Sequence, residues 1–168
     1  MNSITIRKWT EADPIPEITS LLHRAYLELA DMSFRYHATW QDDETTLQRL
    51  KSGIGFVAEK EGKIIGTATL YLPTGDTDCD WYNKPDVARF GQFAVEPTLQ
   101  RNGIGSAFLE TLASTALEHG FNNLALDTAE GAQHLIDMYK AKGFEFVCYA
   151  DWDVTNYRSV IMNKQLTD

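Results

Sequence analysis

Apolar and polar side chains alternate from Ile4 to Trp9, which predicts a first strand. The period then lengthens: Ile15, Ile18, Leu22, Ala25 and Leu29 recur at helical spacing. Asp13-Pro14 ahead of them reads as a cap with proline in the first turn. Residues 30–44 lose any clean period, although they hold Phe34, Tyr36, His37, Trp40 and several acids. A short helix over 45–51 ends at Gly53, and strands over 54–60 and 63–72 meet at the hairpin turn Glu61-Gly62. Residues 73–86 form a long polar loop with Trp81 and Tyr82, and loops of that length are often functional.

A strand over 89–95 runs into a polar loop with Gly103 and Gly105. The helix after it carries Phe108, Leu109 and Leu112 on its apolar side and runs to His119, with Gly120 just past its end. Residues 123–127 read as a buried strand, 132–142 as a helix ended by Gly143, and 144–151 and 159–165 as closing strands. No repeat or linker divides the chain, so one domain over 1–168 is expected. The order is mixed α/β, with antiparallel pairs at both ends and one strand–helix–strand unit between them.

Composition narrows the classes. With 43% hydrophobic residues, the chain can close a core without disulfides or metals. Cys79 and Cys148 lie far apart in sequence, without metal-ligand spacing, so no disulfide framework and no metal are expected and a reducing cytoplasm is the default. No apolar run reaches membrane-spanning length, and the N-terminus has no signal core. A net charge of −9 argues against a nucleic-acid surface. It serves solubility, and it is compatible with a cationic substrate drawn to an acidic cleft.

The chemistry concentrates at residues 92–106. An apolar strand ending Val95-Glu96-Pro97, a loop Gln100-Arg101-Asn102-Gly103-Ile104-Gly105-Ser106 and a helix start describe a phosphate cradle. Glycine lets backbone N–H groups approach an anion, and the helix dipole favours its charge. A dinucleotide site fits less well. Phe108 stands where a third glycine belongs, and 96–102 separate the strand from the first glycine. No Gly-Lys-Ser/Thr follows, which excludes a Walker loop.

The pattern resembles the GNAT N-acetyltransferase superfamily. Gln100, Gly103 and Gly105 fill its Gln/Arg-x-x-Gly-x-Gly/Ala signature after Val95-x-Pro97, and Tyr139 with Gly143-Phe144 matches its downstream helix. Arg101 and Asn102 depart from the residues common there, and Ala132 replaces a frequent Asn. The resemblance implies a mostly antiparallel central sheet with a splayed strand pair, helices on both faces, and acetyl-CoA as donor. It implies that Phe93, Ala94 and Val95 grip the pantetheine arm, that residues 100–106 bind the pyrophosphate, and that Lys140 and Lys142 lie near the nucleotide.

Acetyl transfer to an amine requires a polarised thioester, a route for the amine's proton and a proton donor for the thiolate. Under the resemblance Tyr139 is the candidate acid; its alternative is a core tyrosine. The strand stretch Arg89-Phe90-Gly91-Gln92 holds no base. Asp127 is the candidate base, with a helix N-cap as its alternative. Glu130, His134, His37 and a water chain also stay open.

The expected acceptor is a small-molecule or peptide amine. A cationic one would sit among His37, Trp40, Trp81 and Tyr82 with Asp42, Asp43, Asp78 or Asp80. Pinning of long loops is the alternative role for those aromatics. A non-catalytic CoA-binding sensor is the rival function, and a homodimer stays open.

Overall fold

The alternating segments form strands β1 (Thr5–Lys8), β2 (Ile54–Lys60), β3 (Lys63–Tyr71), β4 (Val87–Val95), β5 (Asn123–Ala129), β6 (Glu145–Asp151) and β7 (Arg158–Gln165). They are seen in a computed structural model that describes residues 3–152 and 155–166. The helices are α1 (Ile15–Ala25), α2 (Leu27–Asp31), α3 (His37–Trp40), α4 (Asp43–Lys51), α5 (Ile104–Glu118) and α6 (Gln133–Ala141). One sheet orders the strands β1-β2-β3-β4-β5-β7-β6. The β4–β5 contact is parallel, and every other contact between the described strands is antiparallel.

Each sheet face has its own apolar cover. Ile104, Phe108, Leu112 and Ala116 of α5 and Ile136 and Tyr139 of α6 pack on Phe56, Leu70, Phe90 and Leu124. Ile18, Leu21 and Leu22 of α1 and Leu50 of α4 pack on Val57, Ile64 and Ala94 of the opposite face. The expected mixed, mostly antiparallel sheet with helices on both faces is the fold that forms. None of the helices among the described residues is long and apolar enough to cross a membrane.

Close approach fixes Gly66 on β3. A Cβ there would lie 2.7 Å from Phe108 Cε2 and 3.3 Å from the Ala94 carbonyl oxygen. Gly66→Ala is expected to lower stability by about 1–3 kcal/mol through overpacking, read as a lower denaturant midpoint with unchanged slope.

The first helical run differs from its pattern. It breaks at Tyr26 (φ −95°, ψ 3°) instead of continuing to Leu29. The Tyr26 ring lies 5.4 Å from that of Tyr36, and its hydroxyl donates to the Phe93 carbonyl. A tertiary contact thus overrides local periodicity. Asp13 does not cap α1. Its carboxylate takes Arg7 at 2.7 Å and the Thr10 N–H at 2.7 Å, and Pro14 holds the cap position. Residues 30–44 contain the end of α2 and the single turn α3.

The sheet is open in the middle. β4 and β5 pair only at Val87–Asn123, Ala88–Leu124 and Arg89–Ala125, and beyond Arg89 they part. A bulge in β4 accompanies the split: Thr67 and Thr69 of β3 oppose Ala94 and Gly91, so Gln92 and Phe93 of β4 run beside the single residue Ala68 of β3. Gln92, inside the bulge, takes φ 50°. Such an insertion bends a strand and re-aims its side chains.

Candidate active site

The loop after β4 presents backbone donors. A 3-10 turn at Pro97–Leu99 leads into it, and Gln100 Nε2 ties it to the Val95 carbonyl at 3.3 Å. Asn102 Nδ2 donates to the Leu99 carbonyl at 3.1 Å. Arg101 (φ 70°) and Gly103 (φ 81°) turn the chain left-handed just before α5. No N–H from Arg101 through Ser106 meets a protein acceptor among the described residues. Ile104 buries its side chain in the core, so only its backbone faces the loop. Lys142, at the end of α6, brings its ammonium to Ser106 Oγ at 2.6 Å. Free amides, a helix start and a cation fit a pyrophosphate.

Backbone groups beside the opening between β4 and β5 are met by tyrosines. Tyr26 donates to the Phe93 carbonyl at 3.0 Å, and the Ala129 N–H donates to the Tyr36 hydroxyl at 2.8 Å. Tyr36 also bonds Thr128 Oγ1 at 2.6 Å. The Phe93 carbonyl, expected to be free for a ligand, therefore already has a partner. Ala94 is buried against α1 and Val95 against α5.

Tyr139 is buried, its ring 6.2 Å from Phe90 and 5.7 Å from Phe144. Burial first, then Tyr26, Tyr36 and Asp127, push its pKa well above the usual phenol range. The hydroxyl is thus neutral and able to donate a proton at physiological pH. Asp127 lies within β5 and caps no helix; Ala132 holds the N-cap position of α6, which has no side-chain cap. Tyr82 donates to Asp127 Oδ1 at 2.8 Å, and Tyr82 itself is kept protonated by burial and by that negative charge.

Two cavities adjoin the split. The first, about 250 Å³, is lined by Tyr26, Tyr36, Arg49, Gln92, Asp127 and Tyr157 among others. The second, about 360 Å³, is lined by Tyr71, Thr74 and Tyr82. Arg49, Thr77 and Arg89 stand in the walls of both. Arg49 donates to Gln41 Oε1 at 2.9 Å, and the Arg89 guanidinium lies 4.9 Å from both the Tyr71 and the Tyr82 ring.

Of the side chains expected at the acceptor, Tyr82 alone is placed in a cavity wall. Trp40 is exposed with Arg35 over its ring, and it lines neither cavity. Trp81 also lines neither; its Nε1 donates to Asn163 and its ring lies under Lys84, so it pins the loop. Asp42, Asp43, Asp78 and Asp80 line neither, and Asp42 caps α4 by accepting the Thr45 N–H. The side chain of His37 lies outside the described residues. Arg49, Arg89, Tyr26 and Tyr157 were not anticipated. Arg89 left one signal, the single charged residue of its strand. Cys79 and Cys148, distant in sequence, are neighbours: burial and the adjacent Cys79 thiol raise the Cys148 pKa, and both are unbridged.

A split sheet with a donor-rich loop at one strand end and a buried phenol beside the gap defines an acetyl-CoA-dependent N-acetyltransferase. The acetyltransferase (GNAT) family model matches residues 15–144, and the chain belongs to that family. One relative is the S-(2-succino)cysteine N-acetyltransferase of Bacillus subtilis (strain 168), 30% identical over 156 residues that cover 89% of each chain. The S-alkylcysteine N-acetyltransferase of the same strain is 23% identical, covering 89% of this chain and 83% of that one. Among solved structures, a ribosomal-protein-S18-alanine N-acetyltransferase from Escherichia coli matches with a TM-score of 0.73 at 20% identity, over 99% of this chain and 96% of that one. A GNAT family acetyltransferase from Elizabethkingia anophelis with acetyl-CoA bound gives 0.69 at 20% identity, over 96% and 97%.

Proposed function

We propose that this enzyme acetylates the α-amine of a small amino acid of the S-substituted cysteine kind for which both Bacillus relatives are named. The observation that carries this reading is the likeness to both relatives along 89% of this chain, supported by Asp127 in the wall of a cavity beside the split. Acetyl-CoA supplies an acetyl group activated as a thioester, which the amine attacks directly, forming C–N and breaking C–S.

Backbone N–H groups of residues 101–106 and Lys142 hold the pyrophosphate, while Phe93–Val95 line the approach to the reacting end. Asp127, fixed by Tyr82, draws in the ammonium and accepts its proton on the way to solvent. Tyr139 gives its proton to the departing thiolate. The unbridged cysteines suit a reducing, cytoplasmic setting, and residues 1–168 act as one domain.

The test is thiol release from acetyl-CoA over a panel of S-substituted cysteines, free amino acids and peptide N-termini, with the acetylated product confirmed by mass. Saturable CoA binding without turnover on any amine would favour the sensor reading instead. The pH profile offers a further check. The acceptor must be a free amine, so kcat/KM should rise through its ammonium pKa. Because the Tyr139 pKa is raised, no falling limb should appear near pH 10, the usual phenol value. A fall there would assign the acid to a less buried group.

A further inference from the structure

We propose that Arg49 and Arg89 make this enzyme selective for amino acids whose side chain carries a further carboxylate. The inference rests on the acceptor reading above and names the substrate class within it.

The first observation is a mismatch of charge. Arg7, Arg24 and Arg158 each pair with a carboxylate, at 2.7, 2.7 and 2.6 Å. Among the described residues Arg49 and Arg89 pair with none, although acids outnumber bases 24 to 15 in the whole chain. Asp127 is the one carboxylate lining either cavity among the described residues. Two guanidiniums against one carboxylate leave the walls with a single excess positive charge. A ligand with one ammonium and two carboxylates carries the opposite excess.

The second observation is that both cations are held in place. Arg89 sits between the rings of Tyr71 and Tyr82. Arg49 is tied to Gln41, which is fully buried. A planar guanidinium fixed beforehand can take a carboxylate through two parallel hydrogen bonds with little further ordering.

Gln92 supplies an independent sign. Arg49 can only donate, so the Gln41 atom facing it must be Oε1. Gln41 Nε2 then donates to Thr46 Oγ1 at 2.8 Å and to Gln92 at 2.6 Å, so the Gln92 atom it meets must be Oε1. This relay leaves Gln92 Nε2 as a donor without a partner, on a residue only 3% exposed in the wall of the first cavity. The buried Tyr71 hydroxyl in the second cavity also lacks a partner. A buried donor left unmet is costly, and a ligand oxygen meets it.

These cations do not serve the donor's phosphates. Arg89 precedes Val95 by six residues of β4, about 20 Å at the rise of a strand, and the glycine loop lies beyond Val95. The amine therefore belongs in the first cavity with Asp127, and the side chain reaches the second past Arg49 and Arg89.

The experiment compares kcat/KM for S-carboxymethylcysteine, with one ammonium and two carboxylates, and for the similarly sized S-propylcysteine, whose side chain is uncharged, at fixed ionic strength and saturating acetyl-CoA. The dicarboxylate should be preferred by about a hundredfold or more, the scale set by a desolvated charge pair. Arg49→Gln and Arg89→Gln should each cut that preference by about tenfold or more, through KM, with CoA affinity retained. Arg49→Lys should keep part of it. A wild-type ratio near one, or variants that weaken both substrates alike, would overturn the proposal while leaving acetylation of cysteines intact. If acetyl-CoA binds and no S-substituted cysteine is acetylated, the acceptor reading falls and this one with it.

Discussion

Tyr139→Phe should lower kcat for acetyl transfer by about a hundredfold or more while CoA affinity stays near that of the wild type. The change removes one oxygen and leaves the ring. The edge contacts with Phe90 and Phe144 therefore remain, and the helix α6 that carries the residue loses no packing. The hydroxyl donates to no protein acceptor among the described residues, so its removal orphans no partner. What is lost is a proton donor whose pKa is raised by burial and by the nearby tyrosines and Asp127. Single-turnover rates at saturating acetyl-CoA would isolate the chemical step from product release. An unaltered single-turnover rate would return Tyr139 to the role of a core residue.

Gly103→Asp should abolish measurable CoA binding and leave the protein folded. No heavy atom lies within 4 Å of a Cβ built at Gly103, so the side chain meets no clash. The backbone there is left-handed at φ 81°, a conformation that Asp tolerates better than most residues, at a cost of about 1–2 kcal/mol. The decisive effect is electrostatic: a carboxylate would stand beside the unpaired amides intended for an anion. Gly103→Asn offers the same backbone demand without the charge, so it should retain part of the affinity. Isothermal titration with CoA, beside circular dichroism, separates binding from folding. Wild-type affinity in a folded Gly103→Asp protein would show that the phosphates lie elsewhere.

The loop was legible in sequence because it is local. Val95-x-Pro97, the two glycines and the helix start lie within a dozen residues, and their geometry follows from backbone preferences. Tyr139 was legible through its spacing to Gly143-Phe144, although its surroundings were not. The acceptor cleft was illegible for a physical reason. Its walls combine Tyr36 just before α3, Arg49 on α4, Tyr71 and Thr77 around the long loop, Arg89 and Gln92 on β4, and Asp127 on β5. No periodicity connects those positions. The acids of 42–43 and 78–80, which composition brings forward, occupy a helix cap and exposed positions, while Arg49 and Arg89 line the cavities. The helix break at Tyr26 was hidden in the same way, because its contacts with Tyr36 and Phe93 cross the chain.

The bulge at Gln92 changes how β4 can vary. In an even strand, Phe90 and Phe93 would point to opposite faces, since they stand an odd number of residues apart. Here their rings touch at 5.8 Å within one core, and Ala94 turns to the other. The inserted residue resets the parity of the strand between its two tasks. Residues before it are phased for the arginine-lined cavities, and residues after it for the glycine loop. Substitution at single positions can retune either half alone. Loss or gain of one residue would exchange inside for outside along the half that follows, so this lineage can explore new acceptors by changing letters in β4 but not by changing its length.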